Sequence, residues 1–226
     1  MRALAAVRAA AILLVMTSCA ASQQQQPASG PPINTSQAAA QRGLETMRAL
    51  ARQGNFAALG FTSAQEAEAA TLDAPLHVFM VRLDQLQQYR PGTDPASLLQ
   101  DTGQDFYPVL VGGQVRSSLR VSGADGRFAA VSFGGAALAR TLGQRRQDLT
   151  ATLVPPNGEP PQRFEVVHVA ALNLYFLGFE QRGQLMLSPA INTEQFGFRA
   201  GVPQWAAAVF TRLSEQARTM RPDVPT

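Results

Sequence analysis

Apolar and polar residues recur along this chain with two different periods, and the changes of period delimit the predicted elements. Apolar residues recur every three or four positions over 36–52 and 203–217, which predicts an amphipathic helix in each of these two segments. Between these helices, several runs rich in β-branched and aromatic residues are typical of strands. Shorter helices are predicted at 63–72, 94–103 and 136–146, the first two behind capping residues.

Six of the eight strand runs fall into two groups, and each group predicts an antiparallel meander. In the first group the connections are Gly112-Gly113 and Asp125-Gly126, which suit the tight turns of hairpins. We therefore expect an α+β fold, with helices packed on a largely antiparallel β-sheet built from two meanders, in a single domain over 36–220. The proline-rich stretch at 155–161 would be the seam if the domain has two halves. The strand runs are 76–83, 107–111, 114–121, 127–133, 150–154, 163–170, 172–179 and 184–187.

The first 18 residues have the layout of an export signal. Arg2 and Arg8 precede an apolar stretch at 9–16 that is too short to span a bilayer, for which about 20 residues are needed. The stretch ends in the sequence Met-Thr-Ser-Cys at 16–19, which resembles the lipobox of bacterial lipoproteins, with Met16 where that family usually has leucine.

That resemblance implies that Cys19 is acylated and becomes the first residue of the mature chain. Cys19 is the only cysteine, so it has no partner for an internal disulfide. Residues 19–35 are polar and rich in Gln, Pro and Ser, which predicts a disordered tether. Ala20 follows the cysteine in place of aspartate, which by the same resemblance implies the outer membrane. We therefore expect a membrane partner through acyl chains on Cys19, with the domain facing the periplasm.

Charge does not indicate a nucleic-acid partner. The chain has 19 basic and 16 acidic side chains, a net of +3, but removal of Arg2 and Arg8 leaves 17 against 16, a net of +1. The arginines are spread along the chain, whereas binding to a phosphate backbone needs a concentrated basic patch.

The tripeptide Asp101-Thr102-Gly103 is the most distinctive catalytic candidate. It matches the Asp-Thr-Gly signature of aspartic proteases, and the resemblance implies two such carboxylates that share a proton. The chain has one copy of the signature, with Gln104 where that family has Ala or Ser. The alternative is structural: Asp94-Pro95 would begin a short helix and Gly103 would end it.

Three further groups of residues could bind a ligand. Arg116, Ser118 and Arg120 alternate along one strand as an anion-binding row or, alternatively, as a solvated face. His77 and His168 are the only histidines and lie in apolar strands, too few for a zinc site, so we expect no metal and no cofactor. An apolar pocket or an ordinary core would explain the phenylalanines at 164, 176, 179, 196 and 198.

These observations predict a lipid-anchored protein of the cell envelope that acts as a binding or interaction module, with an envelope protein as a possible partner. Residues 107–118 resemble a stretch of uncharacterised bacterial envelope proteins, which implies no function. The alternatives are a hydrolase that uses Asp101 and a carrier of an apolar ligand.

Overall fold

A computed structural model describes residues 34–153 and 163–220. The signal peptide, Cys19, most of the predicted tether and the segment 155–161 lie outside these residues. None of the described helices is long and apolar enough to cross a membrane. The helices are α1 (Ser36–Leu50), α2 (Ala64–Glu68), α3 (Leu83–Gln88), α4 (Ala136–Thr152) and α5 (Ala206–Ala217), and the strands are β1 (Thr71–Leu72), β2 (Leu76–Val81), β3 (Gln100–Val111), β4 (Gln114–Ala124), β5 (Arg127–Phe133), β6 (Phe164–Val169), β7 (Leu174–Gln181), β8 (Gln184–Pro189) and β9 (Gln204–Trp205).

One sheet contains all nine of these strands, in the order β5-β4-β3-β2-β6-β7-β8-β9, with β1 paired to β3. Strands β3–β5 and β6–β8 are the two expected meanders. Strand β2 lies between them and pairs antiparallel with β3 but parallel with β6. The structure thus confirms the α+β class and the largely antiparallel sheet, whose two meanders meet at β2.

Successive side chains of β2 point to opposite faces of the sheet, and their contacts show which helices lie on each face. Leu76 and Val78 belong to the core cluster that contains the buried residues of α4. Phe79 and Val81 point to the opposite face, where they pack in a cluster with α3 and α5. Helix α1 forms a third cluster with Tyr107 and the neighbouring residues of β3 and β4. Since Tyr107 and Asp105 alternate with Phe106 along β3, α1 lies on the same face as α5.

Several element boundaries differ from the predictions. The second helix ends at Glu68, because Thr71 and Leu72 pair with β3 instead of continuing the helix. The predicted strand at 150–154 is wrong over the residues described, because α4 continues through Thr152. The helix predicted at 94–103 is only a 3₁₀ turn at Pro95–Leu98, and β3 begins at Gln100.

Candidate functional site

His77 is held between two aspartates at the centre of the sheet. On β2 it lies opposite Asp105 of β3, and its Nδ1 is 2.8 Å from Asp105 Oδ1. Its Nε2 is 2.8 Å from Asp101 Oδ1. Asp101 is within reach because β3 carries a bulge, in which the pairing moves from Val78–Gln104 directly to Phe79–Asp101. We call His77, Asp101 and Asp105 the histidine clamp.

The bulge depends on Gly103. Its φ of +63° lies in the left-handed region that favours glycine. The Gly103 backbone N–H donates to Asp101 Oδ1 at 2.7 Å, and the Thr102 hydroxyl donates to the Val78 carbonyl at 2.6 Å. The prediction that Gly103 ends a helix is therefore wrong, because this glycine shapes a strand.

The clamp carries charge. With a carboxylate on each ring nitrogen, His77 donates two hydrogen bonds only when both nitrogens are protonated. Burial alone would lower the pKa of His77, but the hydrogen bonds to Asp105 and Asp101 outweigh it, and the pKa is raised above its ordinary value of 6.5. The Gly103 N–H, followed by His77, lowers the pKa of Asp101. Below this raised pKa the clamp holds an imidazolium between Asp101 and Asp105, and both nitrogens of His77 are occupied.

This geometry does not reproduce an aspartic protease site. Such a site needs two carboxylates that share one proton. Asp105, the other aspartate of the clamp, bonds to the opposite nitrogen of the imidazole, and Asp101 is held ionised. The Asp101 side chain is also 64% exposed on the strand. Asp101 therefore serves the bulge and the clamp.

His77→Gln should destabilise the protein by about 1–2 kcal/mol near pH 5.5, since it removes the charge that pairs the half-buried Asp105. Because folding raises the pKa of His77, the stability that His77 adds to the folded state is fully present below pH 6.5. That stability is lost as the pH rises through the folded-state pKa of His77. Because folding lowers the pKa of Asp101, the stability that Asp101 adds to the folded state is fully present above pH 3.8 and is lost as the pH falls below that value. Urea unfolding should therefore show the largest difference between wild type and variant between these two values.

His168→Gln is the matched control for this experiment. Burial, followed by the charge of Arg120, lowers the pKa of His168, so wild type should lose stability relative to this variant as pH falls below 6.5. A difference for His77→Gln that does not change with pH would contradict a charged clamp.

The two histidines do not form one site. His168 lies opposite Met80, on the face of the sheet away from His77, and stacks on Tyr175 with ring centroids 4.1 Å apart. Among the residues described, no group of three or more histidine, cysteine or acidic side chains is arranged to hold a metal ion.

The structure does not place Arg116, Ser118 and Arg120 together as the predicted anion-binding row. The change of register between β3 and β4 leaves Arg116 without a partner on β3, and its Nε lies 2.9 Å from Glu66 Oε1. Ser118 is buried and donates to the Gly134 carbonyl, so its prediction as part of a solvated face is wrong. Arg120 lies over the ring of Phe106.

The five phenylalanines belong to the core, and Phe179 also lines the cavity described below. Those at 164, 176, 179, 196 and 198 are all buried, and Phe176 packs edge-to-face on Phe198 at 5.5 Å between centroids.

A cavity of about 670 Å³ opens on the α5 face of the sheet. Its apolar wall includes Phe79, Leu185 and Trp205, the last residue of β9, and its polar wall includes Glu165 and Glu180. Trp205 is 45% exposed and is the only tryptophan of the chain. We call this space the Glu165 cavity. Its remaining lining residues are Asp94, Pro95, Ala96, Leu99, Arg163, Phe179, Gly183, Gln184, Ala206 and Ala207.

Glu165 is the residue of this cavity that the sequence reasoning missed. It lies on β6, next in register to His77 on one side and to Gly178 on the other. A Cβ at position 178 would come within 2.9 Å of Glu165 Cγ, so the glycine leaves room for the carboxylate. Burial raises the pKa of Glu165, opposed by the charges of Arg163 and His77. An acidic residue in a strand of mostly apolar residues was the available sequence signal.

A second cavity, of about 560 Å³, lies between α1 and β1. Its wall contains Arg48, whose guanidinium donates to the Ala70 carbonyl at 2.7 Å. This contact ties α1 to the chain before β1, so we assign Arg48 a structural role.

Comparisons with known proteins do not identify a family for this chain. No family model matches the chain. No curated protein and no solved structure matches it either.

Proposed function

We propose that this protein is a lipid-anchored binding module of the bacterial cell envelope, held by acyl chains on Cys19 and facing the periplasm from the outer membrane. The Glu165 cavity is its ligand site. The anchor is supported by the signal-like segment and by the Met-Thr-Ser-Cys sequence that ends at Cys19.

One observation carries the binding function: the cavity has the size and the mixed lining of a ligand site. Small-molecule sites have volumes of roughly 300–1,000 Å³ and combine an apolar wall with a few polar groups. The Glu165 cavity, at about 670 Å³, sets Phe79, Leu185 and Trp205 beside Glu165.

The histidine clamp makes His77 poorly suited to act as a general base in hydrolysis. A general base must have a free lone pair within reach of the substrate. His77 has none while it donates from both nitrogens, and Asp101 is an ionised partner of His77. Glu165 remains as a carboxylate that can contact a ligand.

Ala207→Trp should abolish ligand binding without unfolding the domain, because Ala207 is exposed on α5 and lines the cavity. Protein extracted from membranes in mild detergent should melt about 5 °C higher than the same protein refolded from denaturant, since a bound ligand stabilises only the folded state. The extracted and refolded variant should melt alike.

Ala208→Trp is the control, because Ala208 is also exposed on α5 but is not part of the Glu165 cavity. It should keep the difference seen in wild type. Equal melting temperatures for extracted and refolded wild type, with native circular dichroism in both, would contradict a ligand-binding function.

A further inference from the structure

The Glu165 cavity has an excess of negative charge. Asp94, Glu165 and Glu180 line it, against a single basic residue, Arg163. Three carboxylates and one guanidinium give a net charge of −2 when all are ionised. The histidine clamp behind Glu165 adds no positive excess, because its imidazolium is paired with two aspartates.

Two of these carboxylates are available to a ligand. Asp94 is engaged, since its Oδ1 accepts the Ala96 N–H at 3.0 Å. Within 34–153 and 163–220, Glu165 and Glu180 accept no hydrogen bond and form no ion pair. They lie on the same face of adjacent strands, because Glu165 is opposite Gly178 and Glu180 is two residues further along β7. Gly178, which lies opposite Glu165 on this face, presents no side chain there.

The rest of the lining suits a flat apolar group. Phe79, Leu99 and Leu185 supply an apolar wall, and Trp205 stands half-exposed at the cavity. A flat apolar or aromatic group packs well on an indole face, and a carboxylate forms its strongest hydrogen bonds with a charged donor.

We propose that the Glu165 cavity binds a primary organic amine that carries an apolar or aromatic group. The ammonium group lies between the carboxylates of Glu165 and Glu180, and the apolar group packs on Phe79, Leu185 and Trp205. This assignment rests on the proposed binding function and adds the chemical class of the ligand.

Three probes that share a 2-phenylethyl group and differ in charge test the assignment: 2-phenylethylamine, the neutral 2-phenylethanol and the anionic 3-phenylpropionate. Trp205 provides the signal, because it is the only tryptophan and lines the cavity. We titrate each probe into the full-length mature protein in non-ionic detergent and follow the indole fluorescence. The amine should give a saturable change and bind at least tenfold more tightly than either other probe.

Glu165→Gln should weaken amine binding at least tenfold, because it removes the charge and keeps the shape. Glu180→Gln should weaken it less, since Glu180 is exposed. Glu45→Gln, which removes a carboxylate from α1 outside this cavity, should leave it unchanged.

Equal affinity for the three probes, or tighter binding of 3-phenylpropionate, would overturn the assignment. So would amine binding that survives Glu165→Gln. If the amine fails to bind while extracted wild type still melts higher than refolded wild type, the ligand class is wrong and the proposed function stands. If that melting difference is also absent, both fail.

Discussion

Cys19→Ala is expected to move the mature protein completely from the detergent phase to the aqueous phase when a phase-separating detergent is warmed. The proposed attachment consists of acyl chains on this one residue. One acyl chain binds a membrane only marginally, whereas two or three retain a protein stably. No described helix offers an alternative span. The measurement is an immunoblot of both phases.

Ser22→Ala is the control for that experiment, because it changes a polar residue three positions after the cysteine and keeps the Met-Thr-Ser-Cys sequence. It should partition with wild type into the detergent phase. A Cys19→Ala variant that remains in the detergent phase would contradict lipid anchoring.

Phe210→Ala should destabilise the domain by about 4 kcal/mol and lower its melting temperature by about 8–16 °C. Phe210 is 0% exposed in α5 and packs edge-to-face on Tyr89, with ring centroids 6.0 Å apart. It belongs to the cluster that joins α3 and α5 to β2, β6 and β7. Its removal leaves a cavity in the layer that supports the start of α5.

Val131→Ala is the comparison for that prediction, because Val131 is 55% exposed on the edge strand β5. Its effect should stay within about 0.5 kcal/mol. Thermal unfolding followed by circular dichroism measures both variants. A loss below about 1 kcal/mol for Phe210→Ala would show that α5 is not packed as described.

The meanders could be predicted because their signals are local. Gly112 and Gly113 both have positive φ, as do Asp125 and Gly126. These are the conformations that tight primed turns require, so a few adjacent residues are enough to indicate the hairpins. The two long helices were also evident, since their apolar periodicity depends on one short segment at a time.

Pairing between distant segments could not be predicted in this way. The parallel contact of β2 with β6 joins residues that are about ninety positions apart, and no local pattern specifies it. The same holds for Thr71 and Leu72, whose pairing with β3 ended a helix that the local sequence favours.

The candidate site also depends on contacts between distant segments, which the local sequence does not specify. Asp101 and His77 were each singled out from the sequence, but their contact depends on the register of β2 with β3 and on the bulge at Gly103. In the folded protein these two side chains are hydrogen-bonded to each other, so the catalytic interpretation of Asp101 loses its support. The Glu165 cavity depends on α5 reaching the strands from the far end of the chain, so it could be found only in the folded molecule.

Native mass spectrometry of wild type extracted from membranes, beside Ala207→Trp, tests the proposed binding function most directly. Wild type should carry a small molecule of defined mass, in addition to any covalent acyl groups, and release it on collisional activation. Ala207→Trp should show the protein alone. A wild-type spectrum without such a molecule, or an identical molecule on Ala207→Trp, would contradict the assignment of the Glu165 cavity as the ligand site.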